Sequence, residues 1–236
     1  MMMSFFTAVV LLAVTGGEVS GADPTKCCSD RQFEARLAEI GGALYNHSGH
    51  QVPSLMDVDN ILHYDFYNRT VVYEVIQRGA QGRTVRSRIV HDFISGLRYV
   101  IKDNKCTYVK GSRIMTEQCI PDNAKFLGRS TFGSGVNSVS ANNWQYHSPS
   151  ANITIKSSVA ASNCVPLVQA TFSTLGHDAS NDVVFIVTGF RPGIHSPTVF
   201  DIPANCVQQT SDGTQLPADH TTRGARYIDA VLSRGD

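Results

Sequence analysis

The sequence predicts a mainly β fold in which antiparallel sheets pack face to face or curl into an open barrel. Three observations favour this fold class. Short segments rich in β-branched and aromatic residues recur along the chain from Val58 onward. Gly, Asn, Asp or Pro stands at the ends of these segments. Long helical periodicity is absent, so we expect few and short helices.

The predicted strands follow one another as a meander. Thr70–Ile76 and Thr84–Phe93 form a hairpin around the Gly-rich turn Gly79–Gly82, and Ser95–Gly96 makes the next turn. Leu97–Lys102 alternates apolar and polar residues as a half-buried strand does. The further predicted strands are Cys106–Lys110, Arg113–Cys119, Trp144–Tyr146, Asn152–Ser158, Val165–Leu175 and Val183–Phe190.

A short helix or a turn is predicted near the N-terminus. Phe33, Leu37 and Ile40 stand at helical spacing within Arg31–Ile40. A second brief helix could form over Arg226–Leu232. No other segment has a helical pattern of apolar residues.

The chain divides into a leader, one domain and a tail. An apolar run, Phe5–Val14, is followed by small residues, which predicts a signal peptide over residues 1–21 with cleavage after Gly21. Residues 22–206 are expected to form one domain. Residues 207–236 are mostly polar, and we expect a flexible tail. The protein is therefore predicted to be secreted and extracellular.

Charge and hydropathy exclude several partners. Twenty basic residues balance twenty acidic ones, which gives no electrostatic attraction to nucleic acid or to acidic lipid. After the leader no apolar stretch reaches the roughly 20 residues of a spanning helix. We expect no nucleic-acid partner and no transmembrane anchor.

Cysteines and sequons agree with secretion. Six cysteines follow the leader, and an even number in an exported chain predicts disulfide bonds. Cys27 and Cys28 are adjacent, so each should reach a different distant segment, but six cysteines allow fifteen pairings and the spacing selects none. Three Asn-x-Ser/Thr sequons, at Asn46, Asn68 and Asn152, predict N-glycosylation.

No motif predicts catalysis. Gly133-Ser134-Gly135 has the wrong spacing for a nucleophile elbow, and there is no zinc-binding His-Glu-x-x-His, phosphate loop or dinucleotide fingerprint. Of the histidines, His63 beside Asp65 is the least ordinary. We therefore expect a protein that is not an enzyme, has no catalytic residues and requires no cofactor.

Calcium is the metal with some support in the sequence, although no site can be assigned. Asp57-Val58-Asp59-Asn60 begins like a calcium loop but lacks the later ligands, because Ile61 occupies the third ligand position. Asp178 and Asp182 are four residues apart in a predicted loop. Both segments are equally typical of solvated turns.

An ordered set of motifs in the second half of the chain resembles the ependymin-related family. Ile120–Phe126 precedes a Gly-rich loop and Trp144, and Asn163–Pro166 then leads into Gln169–Phe172. The closing run Gly193–Cys206 is similar to the family's Pro-Ser-Val-Phe-x-x-Pro-x-x-Cys signature, with Thr198 where Ser is common.

This resemblance implies two stacked antiparallel sheets that form a half-open sandwich or barrel around a deep apolar pocket, often with homodimerisation through one sheet. It implies association with calcium, with lipid and with extracellular matrix, including cell-matrix adhesion and the organic matrix of calcified shells. It also implies the disulfide pairs Cys28–Cys164, Cys106–Cys206 and Cys27–Cys119.

The leading functional hypothesis is a secreted glycoprotein that binds a lipid or another apolar small molecule in this pocket. A structural component of extracellular matrix or mineral is the alternative. Several apolar strand residues could line the pocket, although a sandwich core would need the same residues. These candidates are Val71, Tyr73, Leu97, Tyr99, Ile101, Phe172, Val184 and Ile186.

Overall fold

The computed structural model describes residues 22–47, 50–78, 84–148, 153–174 and 180–209. Most of these residues lie in strands, and the two helices among them are single 3₁₀ turns, Gly135–Asn137 and Pro197–Phe200. The strands are β1 Gln32–His47, β2 His50–Asp65, β3 Thr70–Arg78, β4 Thr84–Asp92, β5 Leu97–Lys102, β6 Lys105–Lys110, β7 Lys125–Phe132, β8 Val139–Ser148, β9 Ile153–Ala160, β10 Pro166–Thr174, β11 Ser180–Pro192 and β12 Val207–Gln208.

The strands belong to one continuous sheet of twelve strands, in the order β12-β6-β5-β4-β3-β2-β1-β11-β10-β9-β8-β7. Neighbouring strands are antiparallel apart from the short parallel pair β12 and β6. The two longest strands, β1 and β2, form the central hairpin, and β11 joins β1 to the other half of the sheet. The mainly β, antiparallel fold class is confirmed.

One face of the sheet curls around the main core. Buried side chains of β1 to β4 pack in a single cluster with those of β8, β9 and β11, although these strands lie far apart in the order of the sheet. The largest of them include Tyr64, Tyr73, Phe93 and Ile155. The two halves of one curled sheet therefore supply the two layers, and we call this concave side the inner face.

The N-terminal helix prediction is wrong, because Arg31–Ile40 is extended and most of it belongs to β1. Phe33, Ala35 and Leu37 are all buried, whereas Arg36 is exposed, which is the two-residue period of a strand. The helical spacing of Phe33 and Leu37 arises because residues four apart also share one face of a strand.

A second, smaller core lies on the outer, convex face of β3, β4 and β5. Val72 and Val90 pack there against Val199, with Tyr99 and Phe200 at the edge. The covering residues belong to the 3₁₀ turn Pro197–Phe200 and its flanks. The C-terminal part of the domain therefore covers this outer surface and forms a second apolar layer with it.

Two tight turns and one predicted strand further test the sequence analysis. Gly96 has φ +69° and closes the turn between β4 and β5. Asp103 and Asn104 have φ +50° and +61°, which suits the two-residue hairpin between β5 and β6. The predicted strand Arg113–Cys119 is not one, since it contributes only an isolated bridge between Cys28 and Cys119.

One short strand of the sheet lies beyond residue 206. Val207 and Gln208, assigned to the tail, form β12 against Thr107 and Tyr108 of β6. The predicted signal peptide, the turn Gly79–Gly82 and the rest of the tail lie outside the described residues. Within the described ranges no helix has the length and apolar character needed to span a membrane.

Candidate functional site

Three disulfides join segments that are distant in the chain, and they link Cys27 to Cys164, Cys28 to Cys119 and Cys106 to Cys206. The implied pair Cys106–Cys206 is present. The implied pairs Cys28–Cys164 and Cys27–Cys119 are wrong, because the two adjacent cysteines have exchanged partners.

The backbone explains this exchange. Ser29 N–H donates to the carbonyl of Gln118 at 2.8 Å, and Ile120 N–H donates to the carbonyl of Cys27 at 2.9 Å. These bonds place Cys28 directly opposite Cys119 in an antiparallel bridge. Consecutive side chains of an extended segment point to opposite sides, so Cys27 faces Cys164 instead.

An apolar cavity lies on the inner face, between β1, β2 and β3 on one side and β10 and β11 on the other. It contains about 610 Å³ of atom-free space including its mouth. Only about 70 Å³ of this space is wide enough to hold the centre of a water molecule. The cavity is therefore narrow and suits a slender apolar group. Its described lining is Phe33, Ala35, Leu37, Leu62, Tyr64, Tyr73, Gln118, Pro166, Gln169, Phe185 and Val187.

Two of the eight predicted pocket residues lie on the inner face. Tyr73 lines the cavity, and Val71 is fully buried in the core cluster beside it. The other six predicted pocket residues lie on the outer face. They are Leu97, Tyr99, Ile101, Phe172, Val184 and Ile186.

The register of the sheet shows why these six do not line the cavity. On β5, Val100 lies opposite the buried core residue Ile89, so the neighbouring Tyr99 faces outward. On β11, Val183 and Phe185 face the core, and Val184 pairs with Ile40, whose side chain is 55% exposed. Phe172 is likewise 40% exposed.

The inner face also holds a buried carboxyl group. Glu39 follows Leu37 on the inner face of β1, lies opposite Phe185 and is 2% exposed. Asn60 Nδ2 donates to its Oε2 at 3.2 Å, whereas Oε1 has no hydrogen-bond partner among the described residues. Burial raises the pKa of Glu39 from its ordinary value of 4.5 to about 7, and the hydrogen bond from Asn60 only partly offsets this.

A polar network on the outer face attaches the C-terminal part of the domain to the sheet. The two ring nitrogens of His63 lie 3.0 Å from carboxylate oxygens of Glu34 and Glu74. His63 on β2 therefore connects Glu34 of β1 with Glu74 of β3. Glu34 Oε1 also accepts from the backbone N–H groups of His195 and Ser196, both at 3.0 Å. The ring of His63 thus contacts Glu34 and Glu74, and it lies on the opposite side of the sheet from the cavity.

Replacing Glu34 by Ala should weaken this attachment and cost roughly 2 kcal/mol of stability at neutral pH, because several charge-assisted hydrogen bonds are lost. Burial alone would raise the pKa of Glu34, but the hydrogen bonds from His195, His63 and Ser196 outweigh it and hold that pKa below 4.5. The stabilisation is therefore present above about pH 4.5 and disappears as the pH falls further.

Urea unfolding of both proteins at pH 7 and at pH 3 would measure this effect, and the difference between their free energies of unfolding should be smaller at the lower pH. Glu74→Gln is the control, because the Glu74 side chain is 44% exposed and contacts the same histidine from one side only. A Glu34→Ala protein as stable as the parent at pH 7 would contradict the prediction.

The remaining predicted sites have mixed outcomes. Asn68 is exposed in the turn between β2 and β3, Asn46 lies in β1, and Asn152 is outside the described residues. Asp57–Asn60 lies within the strand β2 and not in a loop. Asp178 is outside the described residues.

The side chains of one cluster of potential metal ligands in the described part of the chain are already bonded to other partners. Cys28, Cys119 and Glu117 lie close together. The two cysteines form a disulfide with each other, so neither offers a thiolate, and Glu117 pairs with Arg31. This cluster therefore gives no metal site in its oxidised form.

The fold and the site define the class: this is a disulfide-bonded protein whose antiparallel β-sheet curls around an apolar cavity. Sequence comparison adds the family, since the model of the Ependymin family matches residues 81–206, more than half of the chain. The chain belongs to the ependymin family. Family membership and the three disulfides are consistent with an extracellular protein.

Two relatives come from Haliotis asinina. Ependymin-related protein 2 is 27% identical over 128 residues, which cover 51% of this chain and 64% of that protein. Ependymin-related protein 1 is 26% identical over 128 residues, with the same coverage of 51% and 64%. The similarity thus spans less than two thirds of the length of either relative.

The solved structures that resemble this chain are distant. An uncharacterised conserved protein from Thermus thermophilus has a TM-score of 0.44 and 11% identity, covering 74% of this chain and 90% of its own. A LolA superfamily protein from Nitrosomonas europaea has a TM-score of 0.35 and 10% identity, covering 73% and 91%.

Proposed function

We propose that this protein is a secreted carrier that binds a lipid or another slender apolar molecule in the inner-face cavity. The observation that supports this proposal is the chemistry of the described lining, which consists of apolar and aromatic side chains with two neutral glutamines. The open mouth of the cavity distinguishes it from an ordinary packed core.

Filling the cavity should abolish binding. Ala35 is buried in the lining, and Ala35→Phe would place a ring in the space that the ligand needs. Ala38→Phe is the matched control, because Ala38 is on the same strand but faces the outer side. We expect the parent and the control to bind an apolar fluorescent dye, N-phenyl-1-naphthylamine, with Ala35→Phe at least about tenfold weaker.

Native mass spectrometry of the secreted, deglycosylated protein would add the bound molecule and the number of subunits. Adducts of lipid mass on the parent, lost in Ala35→Phe, support the carrier. A ligand-free parent that also fails to bind the dye would overturn it. If that protein gathers calcium or assembles with it, the role in extracellular matrix is favoured instead.

N-glycosylation belongs to the same proposal. Asn68 is the best-supported position, because it is exposed in a short turn and Thr70 completes its sequon. Its side-chain nitrogen donates to Asp65 at 2.7 Å, which orients the amide at the surface. Mass analysis before and after enzymatic deglycosylation would measure occupancy in the same samples.

A further inference from the structure

The apolar cavity has a polar neighbour. A second cavity, with about 340 Å³ of atom-free space including its mouth, shares Gln118, Pro166 and Gln169 with the first. Its other described lining includes Ser29, Ser157 and the disulfide cysteines Cys119 and Cys164. The two cavities therefore meet along one wall, beside the disulfides that fasten the N-terminal segment.

The polar side chains that line this second cavity are neutral, and one of them makes no hydrogen bond with the described residues. Ser29 is 7% exposed, and its Oγ has no hydrogen-bond partner within the described part of the chain. Ser157 is 6% exposed and faces the same cavity from β9. A buried hydroxyl without a partner costs free energy that a ligand could recover by hydrogen bonding.

We propose that the second cavity is a head-group site, and that the carrier takes a single-chain, nonionic amphiphile whose hydroxyl-bearing head lies there while its chain lies in the apolar cavity. This inference rests on the proposed function, since the chain needs the apolar cavity. Hydroxyl and amide side chains both donate and accept, so the hydroxyl groups of a glycerol or sugar head match them.

The lack of charged side chains in the described lining disfavours an amphiphile with an ionic head group. No Lys, Arg, Asp or Glu belongs to the described lining of either cavity. Moving a carboxylate, phosphate or ammonium group into such a site without a counter-charge would cost much of the free energy gained by burying the chain. A neutral head avoids this cost and retains its hydrogen bonds.

A tryptophan beside the second cavity can report ligand binding through its fluorescence. Trp144, the single tryptophan of the sequence, packs with Ile120, Val159 and Cys164, all of which line the second cavity. It also lies opposite Ser157 in the β8–β9 register. A head group that enters should therefore change the tryptophan emission.

The test compares three ligands with the same twelve-carbon chain on the full secreted protein: 1-monolauroylglycerol, laurate and dodecylamine, each below its micellar concentration. Calorimetry and Trp144 fluorescence should give about tenfold tighter binding of the glycerol ester than of either ion. Ser157→Ala, at a side chain that lines the second cavity only, should weaken the ester about threefold and leave N-phenyl-1-naphthylamine binding unchanged. Ser29→Ala gives an independent loss of about threefold with little risk to folding.

Two controls lie on the outer face of β8 and β9. Ser158→Ala, next to Ser157 on β9, and Gln145→Leu on β8 should leave all affinities unchanged. Equal affinities for the three heads, with dye binding retained, would overturn the head-group site and leave the carrier standing. Loss of all binding, including the dye, in the parent protein would overturn the carrier and this inference together.

Discussion

Removing the Cys106–Cys206 disulfide by a double exchange to serine should lower the free energy of unfolding by about 4–5 kcal/mol. The bond joins cysteines 100 residues apart, and the chain-entropy model gives this figure for a loop of that length. Typical domains have only 5–15 kcal/mol of net stability, so the melting temperature should fall by roughly 10 °C.

The structure also predicts where this loss is felt. Cys106 lies on β6, and Cys206 directly precedes β12, which pairs with β6. Without the bond the turn that carries Val199 should loosen over the outer face of β3 and β4. Hydrogen exchange should accelerate in β6 before the central strands β1 and β2. A loss below about 1 kcal/mol, or uniform acceleration throughout the sheet, would contradict the prediction.

Glu39→Gln should stabilise the protein at pH 8 by up to about 3 kcal/mol. Burial raises the pKa of Glu39 from 4.5 to about 7, so ionising it in the folded state costs more than in the unfolded state. Below about pH 4.5 the group is neutral in both states and costs nothing. As the pH rises towards 7 the unfolded state loses its proton first, and stability falls until it levels off above pH 7.

Urea unfolding from pH 4.5 to pH 8 would measure this slope, which should be smaller in Glu39→Gln. The variant keeps a partner for Asn60, whose amide donates to the side chain at residue 39. Asp59→Asn is the control, since Asp59 precedes Asn60 on β2 and is part-exposed on the opposite face. If Glu39→Gln destabilises the protein at pH 8, the buried carboxylate has an ionic partner and the prediction fails.

Sequence patterns located strands well where one face alone is buried or where a turn residue bounds the segment. The segments at β3, β4, β5, β9 and β10 were predicted within a few residues. β1 and β7 were missed for different reasons. β1 puts Glu39 among its inward residues, which breaks the alternation, and β7 alternates between exposed and half-buried side chains, which weakens its apolar signal.

The faces of the strands were harder to predict than the strands themselves. β11 is apolar on both sides over Val183–Val187, so a two-residue period cannot say which side faces the core. On β5 the alternation predicts that the more apolar side, with Leu97 and Tyr99, faces the core. It faces outward because Val199 and Phe200, a hundred residues later, cover it.

Local chemistry was sufficient for the properties that depend on residue type and short-range pattern: the antiparallel β class, the turn at Asp103–Asn104 and the resemblance that led to the family. Tertiary structure decided which of two adjacent cysteines meets Cys164, since a one-residue shift in register reverses every side chain of an extended segment. It also decided which apolar residues enclose the cavity and brought Ser29 beside Ser157, because both depend on how the sheet curls and on contacts between residues distant in the chain.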